Sequence, residues 1–134
     1  MYKRLLVYVD PGETRLDELE GLMDLADQLG ARVIALAILE PEPDKPTEKE
    51  KKARDELEDR AWKFLYSIED IAFSREVKNS LMLEEGKTLD TIASVVSSYD
   101  VDICATFNYR NVDIPGLLEK LNTVPLLLLN QEGQ

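Results

Sequence analysis

Polar side chains lie at the ends of two predicted strands, where they could contact a ligand. Asp10 follows the apolar run Leu5–Val9, and Thr106, Asn108 and Arg110 lie at the end of the fourth apolar run and just beyond it. Asn108 offers a hydrogen-bond donor and Arg110 a positive charge, which together can bind an anion. The alternative interpretation is structural, with Asp10 as a turn residue and Arg110 as an exposed loop arginine.

The residue types needed for most catalysis and for metal binding are scarce. The chain has no histidine and one cysteine, Cys104, so it lacks the commonest general base and zinc ligand, and a Ser-His triad is excluded. Cys104 lies in a predicted buried strand, where a thiol is a small apolar group. Asp10, Glu84 and Glu85 lie at predicted strand ends, but 27 acidic residues make such positions unremarkable. We expect no enzyme activity, no metal ion and no cofactor.

The net charge of the chain is strongly negative, at −11. Such a surface repels the phosphates of DNA and RNA, so we expect no nucleic-acid partner. No apolar run approaches the roughly 20 residues that span a bilayer. Residues 1–4 lead directly into an apolar run and lack the cleavage site of a signal peptide. We therefore expect a cytoplasmic protein with no membrane segment.

Five strand-like runs alternate with helical patterns along the chain. The predicted strands are Leu5–Val9, Arg32–Leu39, Glu76–Leu83, Ile103–Thr106 and Val124–Leu129. Nearly continuous apolar strands are typical of a parallel sheet that is covered by helices on both faces. The third run is the most polar, which suits the edge of a sheet.

Capping residues mark where the helices begin. Thr14 can cap the first helix, Thr47 and Glu50 fit a capping box for the second, and Pro115 suits the first turn of the last. The alternation predicts one α/β domain over residues 1–134, an open five-stranded parallel sheet in the order 3-2-1-4-5. Ligands of such sheets bind at the carboxyl ends of strands 1 and 4, where Asp10 lies.

Four stretches of the chain resemble the universal stress protein family. They are LLVYVDPGE at Leu5–Glu13, LADQLGARVIALAILEP at Leu25–Pro41, EEGKTLDTIASVVSSYDVDI at Glu84–Ile103 and VPLLLLN at Val124–Asn130. Their order and spacing, over nearly the whole chain, carry the resemblance more than any single stretch does. The resemblance implies a Rossmann-like fold of the adenine nucleotide alpha hydrolase-like type, a role in stress response and, as in many members, a homodimer.

The sequence departs from the phosphate loop of the family's nucleotide-binding branch. That branch carries spaced glycines after the fourth strand, which let backbone N–H groups approach the phosphates closely. Here the first glycine position falls on Phe107 and the second near Arg110. From Ile103 to Pro125 the only glycine is Gly116. The resemblance therefore implies the branch that does not bind ATP.

A nucleotide-binding member with a rebuilt loop is the alternative, with ATP or another adenine nucleotide as ligand and slow ATPase activity. Asp10 matches the family's aspartate after the first strand, which in nucleotide-binding members contacts the base or ribose side. Thr106, Asn108 and Arg110 would supply the other contacts. A third interpretation is an interaction domain whose strand-end cleft binds a segment of an unknown protein partner.

An open cleft beside Asp10 distinguishes these interpretations. If Phe107 or Tyr109 fills that space, the nucleotide-binding alternative fails. Other phosphate-binding motifs are incomplete, since the G-K-T at Gly86–Thr88 lacks the earlier glycine of a P-loop. We therefore expect a dimeric binding or regulatory module in stress response that neither binds ATP nor catalyses a reaction.

The last strand predicts a contact between two copies of the chain. Val124, Leu126, Leu127, Leu128 and Leu129 make it apolar on both faces, although strand 5 lies at the edge of the predicted sheet. A long apolar edge is an aggregation hazard unless it is covered or paired. The resemblance implies antiparallel pairing of the last strands across a two-fold axis. The alternative is that the last helix or the tail 131–134 covers the strand.

Overall fold

Five strands and four helices alternate along the chain in a computed structural model that describes residues 2–107, 109 and 112–130. In chain order they are β1 (Arg4–Tyr8), α1 (Leu16–Leu29), β2 (Arg32–Leu39), α2 (Glu48–Ser74), β3 (Asn79–Glu85), α3 (Thr88–Ser98), β4 (Ile103–Phe107), α4 (Ile114–Leu121) and β5 (Leu126–Leu129). Every strand pairs in parallel, in the order β3-β2-β1-β4-β5. This confirms the predicted fold.

The helices cover the sheet from both sides. Right-handed crossovers place α1 and α2 on one face and α3 and α4 on the other, because the chain reverses its direction across the sheet after β3. Consistent with this, α1 packs against α2, and α3 packs against α4. The central strand β1 is buried from Leu5 to Tyr8 and β4 along its whole length. The core thus lies on both faces of the sheet, as the apolar strands predicted.

Two of the predicted helix starts are confirmed. At the start of α2, the Thr47 hydroxyl accepts from the Glu50 N–H and the Glu50 carboxylate accepts from the Thr47 N–H, each at 3.1 Å. At the start of α4, Asp113 accepts from the Gly116 N–H, and Pro115 lies in the first turn. Proline is tolerated there because its missing N–H would have no partner inside the helix.

The predicted cap of α1 at Thr14 is wrong. The helix begins one residue later, and the Glu18 carboxylate accepts from the Arg15 N–H at 3.0 Å. The Asp10 carbonyl accepts from the N–H groups of Glu13 and Thr14, so the chain turns tightly before the helix. This turn places Thr14 inside the protein, where its hydroxyl has other partners.

The predicted start of the third strand, Glu76, is also wrong. Helix α2 is a single helix of 27 residues that continues to Ser74. Glu76 then takes a left-handed conformation, with φ of 57°, to leave the helix. The strand therefore begins at Asn79 and lies at a sheet edge, as its polarity predicted. In the part of the chain that the structure describes, no helix has the length and apolar character needed to cross a bilayer.

Candidate functional site

Tyr109 occupies the space between the carboxyl ends of β1 and β4. Its side chain is only 2% exposed, although it lies in the segment that follows a strand. The Tyr109 hydroxyl accepts from the Asp10 N–H at 3.4 Å and forms a short hydrogen bond with the Thr14 hydroxyl. The Thr14 hydroxyl accepts from the same Asp10 N–H at 3.0 Å. Two polar groups, the Asp10 N–H and the Thr14 hydroxyl, thus hold the ring in place.

Two more aromatic rings pack against Tyr109, and with it form what we call the aromatic cluster, Tyr8, Phe107 and Tyr109. The ring centroids of Tyr8 and Tyr109 are 5.6 Å apart in an edge-to-face arrangement, and those of Phe107 and Tyr109 are 5.9 Å apart. Such geometries are favourable beyond the burial of the rings. Tyr109 thus fills the space on the β4 side of Asp10, which argues against a triphosphate bound there by a rebuilt loop. Neither Phe107 nor Tyr109 lines the cleft on the β2 side of Asp10.

The phenols of the aromatic cluster are not poised for acid–base chemistry. Burial raises the pKa of Tyr8 to about 12, and the nearby Asp10 carboxylate adds to the shift. Burial also raises the pKa of Tyr109, against the smaller opposing effect of its hydrogen bonds. A general base works best when its pKa is close to the operating pH. Both hydroxyls therefore remain neutral and serve as hydrogen-bonding groups.

Asp10 serves as a turn residue and also faces the neighbouring cleft. Its carboxylate accepts from the Gly12 N–H at 2.9 Å, the Asx-turn arrangement that aspartate favours. Its carbonyl oxygen accepts from the N–H groups of Glu13 at 3.0 Å and Thr14 at 2.7 Å. The side chain is only partly buried and lines the cleft. It can therefore hold the turn and still contact a ligand.

The other predicted contact residues are placed differently. Thr106 is fully buried, and its hydroxyl donates to the Phe107 carbonyl at 3.0 Å. Asn108 and Arg110 lie outside the described residues, so their part in an anion site stays a prediction. Of the four predicted contacts, Asp10 is the one that the described structure brings to an open surface.

A cleft of about 550 Å³ opens beside Asp10, between the carboxyl ends of β1 and β2 and the first half of α2. Its walls are mostly apolar, with Pro11, Ala37, Leu39 and Leu57 among the lining residues. A concave, mainly apolar surface with a few polar groups is typical of a small-molecule site. The cleft is therefore the candidate binding site of this protein.

Arg54 forms one wall of the cleft but is held by protein groups. Its guanidinium lies 3.2 Å from the Glu85 carboxylate and 3.8 Å from that of Glu58. It also donates to the Glu40 carbonyl. Glu85 in turn accepts from the Glu42 N–H at 3.0 Å. Arg54 thus joins α2 to the ends of β2 and β3, and its charge is already compensated.

The sequence did not predict two structural roles at this site, the hydrogen bond of Thr14 to Tyr109 and the ion pair of Arg54 with Glu85. The sequence predicts a helix cap at Thr14, and Arg54 stands in a run of mixed charges with no motif around it. For Arg54 the available signal was its position in the first half of a helix that follows a long strand-end loop. Among the described residues, no group of three or more Cys, Asp or Glu side chains is arranged to hold a metal ion.

Comparison with known sequences decides the family. The sequence model of the universal stress protein family matches residues 1–105. The chain belongs to this family. The match runs through β1, β2, β3 and most of β4, so it confirms the family resemblance and covers the first three of the four stretches, but not Val124–Asn130. It ends at residue 105, before the aromatic residues Phe107 and Tyr109. No curated protein matches the sequence significantly.

Solved structures of universal stress proteins share the fold. One from Burkholderia pseudomallei has a TM-score of 0.79 at 17% identity, covering 96% of each chain. One from Archaeoglobus fulgidus, in complex with dAMP, has a TM-score of 0.69 at 16% identity over 96% of this chain and 98% of that one. One from Arabidopsis thaliana, with AMP bound, has a TM-score of 0.70 at 10% identity over 98% and 93%. At these identities the likeness concerns the fold.

Proposed function

We propose that this universal stress protein is a dimeric binding and regulatory module in stress response that does not bind ATP. The observation that carries the proposal is the position of Tyr109. Its ring lies at the carboxyl ends of β1 and β4, and its hydroxyl bonds to the Asp10 N–H and to Thr14. A triphosphate at the switch point of the sheet would need that space and a free Asp10 N–H.

The start of α4 is also unsuited to phosphate. A helix N-terminus binds phosphate through free backbone N–H groups. Here the Asp113 carboxylate accepts from the Gly116 N–H at 3.1 Å and brings a negative charge to the same position. A Cβ added to Gly116 would lie 2.4 Å from an Asp113 oxygen, so this glycine serves the close approach of Asp113. A phosphate would have to displace that carboxylate.

The dimeric part of the proposal rests on β5. This strand pairs with β4 on one side and forms an edge of the sheet on the other. Leu128 is 46% exposed, and Leu126, Leu127 and Leu129 are only partly buried. Val124, just before the strand, is partly buried too. An apolar edge of this kind suits pairing with the same strand of a second copy, and would leave the cleft beside Asp10 open.

The proposal extends to the absence of catalysis. The buried phenols have raised pKa values and are not poised as general bases. Carboxylates such as Asp10 and Glu50 line the cleft, but no histidine, cysteine or serine stands among its described lining residues for them to activate. We propose that the protein acts in the cytoplasm as a binding partner, without a cofactor or a nucleic-acid ligand of its own.

Calorimetric titration with ATP tests the proposal. We expect no heat of binding up to high micromolar ATP with Mg²⁺ present. The variant Tyr109→Gly provides the comparison, because removing the ring opens the space at the carboxyl ends of β1 and β4. Micromolar affinity of the unaltered protein for ATP would refute the proposal.

A nucleoside or nucleoside monophosphate is the second candidate ligand, and the open cleft favours it. The cleft beside Asp10 has about 550 Å³, within the usual range for small-molecule sites. The relatives from Archaeoglobus fulgidus and Arabidopsis thaliana hold dAMP and AMP. Titration with adenosine and AMP distinguishes this candidate, because either would bind while ATP would not. The variant Asp10→Ala should then weaken adenosine binding at least about tenfold.

A further inference from the structure

Three aromatic side chains of α2 face solvent in one row. Trp62, Tyr66 and Phe73 are 37%, 55% and 82% exposed. At about 100° per residue, they lie within about 40° of one another around the helix axis. The other side of α2 packs into the core through Leu65 and Ile68, which are fully buried. We call Trp62, Tyr66 and Phe73 the aromatic row.

The aromatic row exposes a large apolar surface. Given that a buried aromatic side chain covers about 150–250 Å², the exposed parts of the three rings amount to roughly 350 Å². A patch of this size is comparable with the largest apolar patch on a typical monomeric protein, which is often functional. The Trp62 and Tyr66 rings already pack together, with centroids 5.7 Å apart. Part of the surface is therefore ordered before any partner binds.

Carboxylates flank the aromatic row. Asp59, Glu69 and Asp70 are exposed and lie on the same half of the helix. Among the described residues, no lysine or arginine nitrogen lies within ion-pair distance of these three carboxylates, whereas the ion pairs of α2 involve Glu48 and Glu58. The exposed Lys63, one turn after Asp59, offsets one of these charges, so the rim stays negative overall. A surface that is apolar in the middle and negative at its rim is complementary to an apolar surface with a positive rim.

This charge pattern selects the kind of partner. A second copy of the chain would bring the same carboxylates against themselves, and like charges across an interface are unfavourable. Nucleic acid is repelled by the same groups. We propose that the aromatic row is a docking site for a basic amphipathic helix of a partner protein. Apolar side chains of that helix would cover the rings, and its lysines or arginines would pair with Asp59, Glu69 and Asp70.

The docking site is separate from the site and the dimer edge proposed above. Helix α2 covers β2 and β3, whereas β5 forms the opposite edge of the sheet. The aromatic row is also absent from the lining of the strand-end cleft. The protein could therefore pair through β5, hold a ligand in the cleft and bind a basic helix at the same time. The inference does not depend on the proposed function.

Fluorescence of Trp62 provides the test, because it is the only tryptophan in the chain. The probe is a synthetic amphipathic helical peptide of leucine and lysine that contains no aromatic residue. We expect a saturable blue shift of the emission, as the indole is covered. An oligolysine peptide of equal charge should bind at least about tenfold more weakly, because most interface energy comes from a few buried apolar contacts.

Two matched pairs of variants locate the binding. Tyr66→Gln with Phe73→Gln keeps both helix propensity and Trp62, and should weaken peptide binding at least about tenfold. Its control is Tyr99→Gln with Leu118→Gln, which removes two apolar groups of 50% and 48% exposure elsewhere. Glu69→Gln with Asp70→Asn should also weaken binding. Its control is Glu13→Gln with Glu119→Gln, which changes the net charge equally at exposed sites away from α2.

Several results would overturn the inference. Equal affinity for oligolysine and for the leucine–lysine peptide would mean that the rings contribute nothing. Equal weakening by each variant pair and its control would mean that binding is not at the aromatic row. A concentration-dependent blue shift without any peptide, lost in Tyr66→Gln with Phe73→Gln, would assign the surface to a second copy instead.

Discussion

At the scale of single residues, two hydrogen bonds hold the Tyr109 ring at the carboxyl ends of β1 and β4. The Tyr109 hydroxyl joins the Asp10 N–H and the Thr14 hydroxyl, which themselves bond to each other. Asp10 therefore belongs to a small polar network whose other members are buried. A network of this kind is stable when all its members have partners, and it is costly to leave partly satisfied.

Removal of the Tyr109 hydroxyl tests that network. The variant Tyr109→Phe should lower the free energy of unfolding by about 1–2 kcal/mol, because the buried Thr14 hydroxyl loses a partner. Urea denaturation measures the change. Tyr99→Phe is the matched control, since Tyr99 is half exposed and its change should be within about 0.5 kcal/mol. Equal effects of the two variants would contradict this account.

Alkaline pH should reveal the burial of Tyr8. Burial raises its pKa from 10.0 to about 12, so above pH 10 the folded state keeps a proton that the unfolded state has released. The contribution of Tyr8 to stability is fully present below pH 10 and is lost as the pH rises towards 12.

Urea denaturation from pH 8 upward measures this loss. Other groups also titrate in this window, notably Cys104, whose pKa burial raises to about 12. The comparison is therefore between the unaltered protein and Tyr8→Phe. The variant should lose stability less steeply, by up to about 1.4 kcal/mol per pH unit. Parallel curves for the two proteins would show that Tyr8 does not titrate as described.

At the scale of elements, the turn between β3 and α3 has a strict requirement. Gly86 has a φ of 151°, and a Cβ added to it would lie 2.6 Å from the Thr91 hydroxyl oxygen. Its N–H donates to the Leu39 carbonyl at 3.0 Å, which ties the turn to the end of β2. In the sequence, this glycine belongs to an incomplete P-loop motif. The structure instead explains why glycine stands here, because the backbone conformation and the close Thr91 disfavour any other residue.

Alanine substitution of two glycines compares a position with a strained backbone and a close neighbour, Gly86, with a helical position in open space, Gly21. Gly86→Ala should lower the free energy of unfolding by about 1–3 kcal/mol, because an L side chain is strained at that φ and meets Thr91. Gly21 lies inside α1 with open space around it, so Gly21→Ala should raise it by about 0.5–1 kcal/mol. Thermal denaturation of both variants measures the contrast. A neutral Gly86→Ala would contradict the role of the turn.

At the scale of the whole molecule, the two edges of the sheet differ in character. The edge strand β3 is partly buried along most of its length and carries polar residues, whereas the edge strand β5 consists of four leucines. A polar edge discourages addition of another strand, and an apolar edge favours it. The proposed assembly through β5 follows from this difference.

A charge placed on β5 tests the proposed dimer. Leu128→Glu should convert the protein to a monomer, because two carboxylates would meet across the two-fold axis. Leu118→Glu is the control, since Leu118 has a similar exposure of 48% but lies on α4. Light scattering at high micromolar concentration measures the oligomeric state of both variants. If the unaltered protein is a monomer at that concentration, the proposed dimer is contradicted without any variant.

Much of the architecture could be predicted from the sequence, and the errors lie where elements meet. Apolar runs located the strands because burial on both faces imposes a continuous pattern. Thr47 and Glu50 located the start of α2 because a capping box is a local interaction. Glu76 was misplaced because no local pattern shows where a long amphipathic helix gives way to an edge strand.

The sequence by itself determined the order of elements, the family resemblance and the missing phosphate glycines, since all three are read from residue types and their spacing along the chain. Only the tertiary structure decided what occupies the site. Tyr109 and Asp10 are 99 positions apart in the chain, yet the Asp10 N–H donates to the Tyr109 hydroxyl at the end of β1. The local sequence around Thr14 suits a helix cap, whereas the fold buries its hydroxyl against that of Tyr109. Long-range contacts of this kind depend on how the helices and strands pack, which no local pattern encodes.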